Sequence, residues 1–203
     1  MKKMINNPEN IVNEMVSGML KAYPNSLRQV EDLPVIARKE KKDGKVALIS
    51  GGGSGHEPSH AGFVGYGMLD AAVAGEVFTS PSADKVYEAI KAVDSGAGVL
   101  LIIKNYSGDV MNFEMAAEMA GMEGIEVRKI IVNDDIAVEN STYTVGRRGI
   151  AGTVLVHKMV GAAAEKGYSL DDLEVLGNKV ISRTKTMGMS LKPCICLLYT
   201  SPS

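Results

Sequence analysis

His56, Lys104 and Asp109 are the residues through which this chain of 203 amino acids can do proton and charge chemistry. His56 closes the run Gly51-Gly52-Gly53-Ser54-Gly55, Lys104 ends the apolar run GVLLIIK, and Asp109 follows shortly after. An imidazole is suited to proton transfer near neutrality. A carboxylate on the same rim can orient that imidazole or accept a proton itself, and an ammonium can hold a polar oxygen. Glycines where a strand gives way to a helix permit positive φ and leave backbone N–H groups open to a ligand. Each feature also has a plain reading. His56 can hydrogen-bond at a helix start, Asp109 can be an N-cap, Lys104 a solvated strand end, and the glycines a tight turn.

Rival motifs fail on their own geometry. His56-Glu57-Pro58-Ser59-His60 has the H-E-x-x-H spacing of zinc proteases, which needs both histidines one turn apart on a helix. Pro58 fits only the first helical position, which leaves His56 outside that helix. The extended pattern also needs a glycine where Phe63 stands. A Walker loop needs a lysine at His56, the dinucleotide pattern finds no register, and the hydrolase elbow needs a glycine at His56. His60 and His157 read as structural. Met111, Met115, Met119 and Met122 form a helical stripe read as core filler. GRRG, 146–149, precedes a helix and reads equally as an anion site, a solvated loop or a subunit contact.

These residues need elements to hold them. Ile11, Met15, Met19 and Leu20 predict a helix over 8–22, followed by a basic, polar stretch around Arg38 to Lys45. Residues 46–50 read as a buried strand, 69–75 as a short one, and 82–93 as a helix capped by Ser82. Residues 98–104 and 126–134 read as strands, with a helix over 110–122 between them. A helix over 153–167 closes at Gly167, and Ser169 caps a last helix reaching about Met187. Short strands alternating with helices predict an α/β fold, a mostly parallel sheet with helices on both faces. Ligands in such sheets sit beyond the carboxyl ends of the strands. The glycine run, Lys104 to Asp109, and Asn133 to Asp135 would then share one rim.

Hydrophobic residues make up 45% and charged residues 23%, a globular balance, and the length suits one domain. A net charge of −2 gives no electrostatic case for nucleic acid or an anionic membrane as partner. No apolar run approaches a membrane span, and MKKMINNPENIVNEM lacks the apolar region of a secretory signal. Cys194 and Cys196 are poor disulfide partners, so the chain reads as reduced and cytoplasmic.

Three long stretches then carry a resemblance. GKVALISGGGSGHEPSHAGFVGYGMLDAAVAGEVFTSP, GVLLIIKNYSGDVMNFEMAAEMA and NDDIAVENSTYTVGRRGIAGTVLVHKMVGAAAE closely resemble the K subunit of dihydroxyacetone (glycerone) kinase, over about residues 1–194. The resemblance implies that dihydroxyacetone is phosphorylated to dihydroxyacetone phosphate. It implies that Gly53, Ser54, Gly55, His56, Lys104 and Asp109 contact the substrate, and that His56 and Asp109 are the acid–base pair. The phosphoryl group would come from a partner L subunit or fused L domain carrying ADP or ATP with magnesium, so this chain is expected to hold no cofactor or metal. That division suits phosphoryl transfer, in which the acceptor side needs a base and a rigid cradle. A homodimer is expected at full length. Family chains run to roughly 330 residues, beyond one typical domain, and a histidine of their second domain binds the substrate carbonyl covalently. The three histidines here all lie elsewhere, so this chain is expected to hold half of the site and to bind substrate weakly. Residues 195–203, ICLLYTSPS, depart from the family pattern and read as a non-family tail. The alternative function is a non-catalytic sensor or coregulator derived from the K subunit.

Overall fold

The computed structural model describes residues 4–138 and 146–191. The expected tail over 195–203 and both cysteines lie outside the described residues. Four strands form the parallel part of one sheet: β3 (Ala47–Ser54), β4 (Ala71–Val77), β5 (Val99–Lys104) and β6 (Val127–Val132). Two short strands, β1 (Leu27–Gln29) and β2 (Val35–Arg38), extend it antiparallel beyond β4, giving the order β1-β2-β4-β3-β5-β6. Among the described residues five α-helices cover it: α1 (Ile11–Ala22), α2 (Ala83–Val93), α3 (Ser107–Met122), α4 (Thr153–Glu165) and α5 (Leu170–Arg183). The mostly parallel α/β architecture is therefore the one expected.

Strand alternation sorts the core into two layers. Leu48, Leu100, Ile102, Ile130 and Val132 pack with Val16 of α1, Val156 and Val160 of α4, and Leu173 and Ile181 of α5. Ala47, Ile49, Leu101 and Ile103 face the other way, onto Val86 and Ile90 of α2 and Phe113, Ala116 and Ala120 of α3. Because both faces are covered, β5 is apolar along its whole length until Lys104. Among the described residues no helix is long and apolar enough to cross a membrane.

The structure corrects several readings. Strand β2, which leads into the basic stretch, was not foreseen, and its Val35, Ile36 and Ala37 are fully buried. The strand is four residues long and follows Pro34, too short to display a period. The methionine stripe is not core: Met111, Met115 and Met122 are 59%, 50% and 84% exposed, while Phe113, Ala116 and Ala120 of the same helix are buried. Spacing marks both stripes equally. The sheet takes the one whose alanines let the helix approach. The last helix ends at Arg183 and not near Met187, because the following segment turns extended: Thr186 N–H donates to Asp134 O and Ile136 N–H to Thr186 O, both at 2.9 Å. The glycines are not a free loop either. β3 continues through Gly51, Gly52 and Gly53 to Ser54, and the turn begins only at Gly55. A Cβ at Gly51 would stand 2.6 Å from Val73 O, and one at Gly53 2.6 Å from Thr79 N. These glycines let neighbouring backbone come close.

Candidate functional site

The tips of β3, β4 and β5 and the first turn of α3 bring the candidate residues to one end of the sheet. Lys104 is the last residue of β5, and its alternation turns it to the face shared by Ile102 and Ser50. Asp109 is 4% exposed and is not an N-cap: α3 starts three residues earlier than periodicity suggested, with Tyr106 at the cap position and Asp109 in its first turn. A carboxylate there is favoured by the helix dipole. Both side chains close on Gly52, where a Cβ would lie 3.4 Å from Asp109 Oδ2 and 3.5 Å from Lys104 Nζ. Gly53 and Ser54 end β3 beside the β4 tip, with Ser54 Oγ donating to Gly75 O at 2.7 Å. Gly55, at φ +106°, then turns the chain against the Phe78 ring. His56 is exposed at the mouth, its ring 5.2 Å from that of Phe78.

The electrostatics favour a base at the mouth and a carboxylate within. Burial, then the charge of Lys104, lowers the His56 pKa from its ordinary value, against an opposing pull from Glu57. The imidazole is therefore a free base at neutral pH. Burial raises the Asp109 pKa, with Ser80 and Lys104 pulling the other way. Its Oδ1 is buried without a hydrogen-bond partner. Burial lowers Lys104, and Asp109 partly restores it. Lys104 Nζ also stands 5.6 Å from the centre of the Tyr106 ring, a cation–π contact.

The structure brings Gly52, Lys104 and Asp109 together and leaves His56 at the rim. Among the described residues no hydrogen bond joins His56 to Asp109. A cleft of about 670 Å³ is lined by Gly52, Ser54 and His60 together with Met15 and Met19 of α1, and not by His56, Lys104 or Asp109. It adjoins the pair across Gly52. Two residues were missed by sequence reasoning. Gly52 was counted only as one glycine of a loop. Ser80, beyond the β4 tip, lowers the Asp109 pKa by a hydrogen bond, and its hydroxyl stands where a Cβ of Gly108 would be, 2.8 Å away. The strand-tip rule itself could have found Ser80, because β4 is a parallel neighbour of β3. Asp134 and Asp135 belong to the frame and not to the site. Asp134 accepts from Ile150 N and Gly152 N, both at 2.8 Å, and Asp135 pairs with Arg148 at 3.0 Å. That ion pair gives one arginine of the GRRG stretch a structural task.

His60 and His157 are both buried, on neighbouring elements. Residues 57–60 form turns rather than a helix, and His60 Nδ1 lies 3.1 Å from His157 Nε2, so the spacing of H-E-x-x-H is not realised. Among the described residues no group of three or more His, Cys, Asp or Glu side chains could hold a metal. Burial lowers His60 well below 6.5 and His157 to about 3, with Lys104 adding to both. The unfolded chain then binds protons at these histidines that the folded one refuses, so stability falls as pH drops below 6.5. Asp109, raised on folding, acts in the opposite sense nearer its own range. Between about pH 7 and about pH 5.5 the two histidines should cost roughly 2 kcal/mol. Urea midpoints at the two pH values check this, and equal midpoints would contradict it.

Known proteins share both sequence and fold with this chain. It is 61% identical over 194 residues to the dihydroxyacetone-binding subunit of PTS-dependent dihydroxyacetone kinase 1 from Listeria innocua, covering 96% of this chain and 59% of that protein. It is 47% identical over 203 residues to the dihydroxyacetone-binding subunit of the PEP-dependent kinase of Escherichia coli, covering 100% and 57%. The chain thus spans under three-fifths of the length of these curated relatives. The crystal structure of the dihydroxyacetone kinase of C. freundii superposes with a TM-score of 0.84 at 45% identity, over 89% of this chain and 34% of that one. A dihydroxyacetone kinase operon co-activator does so at 0.85 and 41%, over 91% and 56%. With the Dak1 domain model matching residues 17–202 as well, the chain belongs to the Dak1 family.

Proposed function

We propose that this chain is the dihydroxyacetone-binding part of a dihydroxyacetone kinase. One observation carries the reading: Lys104 and Asp109 converge on a glycine of β3 at the carboxyl end of a parallel sheet, in a chain 61% identical to a dihydroxyacetone-binding subunit. The ammonium of Lys104 holds an oxygen of the three-carbon substrate. Asp109 and His56 are the acid–base pair that activates the hydroxyl that is phosphorylated, one of them accepting its proton, with Gly53, Ser54 and Gly55 forming the cradle. The phosphoryl group comes from a partner L subunit or domain carrying the nucleotide and magnesium, so the acceptor side has to supply only base and position.

Calorimetric titration of dihydroxyacetone into the chain is expected to give weak binding, with a dissociation constant of roughly millimolar order. Addition of an L subunit and its phosphoryl donor, with assay of dihydroxyacetone phosphate, completes the test. Neither binding nor product would remove the reading. The likeness to an operon co-activator supports a second one, a regulator that keeps the fold without turnover. Binding without product would favour that regulator.

A further inference from the structure

We infer that His60 is a positioning residue, its imidazole protonated on Nδ1, which fastens the turn bearing His56 to strand β3 and helix α4. The inference rests on the reading of His56 as the base of the site. The proton is located by hydrogen-bond logic. Ser50 Oγ lies 2.6 Å from Ile102 O, a carbonyl that can only accept, so the single hydroxyl hydrogen goes there. Towards His60 Nδ1, at 3.3 Å, Ser50 can then only accept, and Nδ1 must carry the hydrogen. The same nitrogen is 3.1 Å from His157 Nε2, which accepts in turn and so places the His157 proton on its own Nδ1. This leaves His60 Nε2 as a lone pair and His157 Nδ1 as an N–H. Both are buried without a hydrogen-bond partner.

The position of His60 makes it a clamp. Among the described residues, the side-chain hydrogen bonds from residues 55–60 to the rest of the protein come from His60 alone, while Glu57 bonds back to Gly55 N within the turn. Ring contacts between His157 and both His60 and Phe63 back the clamp. His56 sits four residues upstream, its ring held beside Phe78. When the clamp is lost, the turn lifts and His56 loses the burial that lowers its pKa.

The chain contains three histidines, so long-range proton–nitrogen NMR spectra of the ¹⁵N-labelled chain resolve every imidazole. The expected result is Nδ1–H at both His60 and His157. A proton on Nε2 of His60 would overturn the inference. His60→Asn keeps an N–H close to the Nδ1 position, and His60→Leu removes it. The His56 titration midpoint should stay in place in the Asn variant and rise by about half a unit or more in the Leu variant. An unmoved midpoint in a folded Leu variant also overturns it. If the Leu variant fails to fold, the tautomers of the unmodified chain decide the matter. No readout involves dihydroxyacetone, so the expected tautomers combined with absent sugar binding would fault the kinase reading alone.

Discussion

Replacing Asp70 with alanine is expected to destabilise the fold by about 3–5 kcal/mol. Asp70 stands just before β4, at the end of the sheet opposite the site, and Lys45 Nζ lies 2.5 Å from its Oδ2 with only 3% of the lysine exposed. The same oxygen accepts from Leu48 N at 2.8 Å, and Oδ1 meets Arg38 at 3.2 Å. Removing the carboxylate leaves a buried ammonium whose remaining acceptor is the Val46 carbonyl at 3.2 Å, and leaves an orphaned N–H in β3. Arg38 suffers less because Glu165 also holds it, at 2.5 Å. Urea unfolding followed by circular dichroism measures the loss. A change below about 1 kcal/mol would mean that Lys45 reaches water once its partner is gone.

The sheet was legible because its parallel strands are buried on both faces. β5 reads as an unbroken apolar run for that reason, and its end at Lys104 is visible as a change of polarity. Strand tips were legible in the same way, and Lys104 and Asp109 follow on the apolar run of β5. What stayed hidden was decided by packing between distant segments. Glycines 51–53 look like a loop in sequence because nothing local shows Val73 and Thr79 pressing against them. α3 carries two apolar stripes, and only the sheet selects Phe113 over Met111. Asp70 drew no notice because its partners lie at Lys45 and Arg38, on two other segments. Asp109 was readable as a candidate at a strand tip. Its position in the first turn was not, since the helix starts on Ser107 and Gly108, which carry no apolar period.

The second large effect concerns the chemistry and follows from two pKa shifts that converge. His56 is lowered from 6.5 by burial and by Lys104, and Asp109 is raised from 3.8 by burial. If both must be unprotonated to take the hydroxyl proton, each contributes to the acid limb of the rate profile. Activity rises with pH in both cases, and the two shifts move the midpoints towards each other. The limb should therefore be steeper than a single titration, tending towards two protons. His56→Ala or Asp109→Asn is expected to lower kcat by about 10²–10⁴, measured with dihydroxyacetone, an L subunit and a phosphoryl donor. Whatever rate survives in His56→Ala should show a single-proton limb, because one of the two groups is gone. Asp109→Asn keeps the shape of the side chain, so its loss of rate reports charge and not packing. An acid limb of unit slope in the unmodified protein, with one of the substitutions silent, would reduce the pair to a single base.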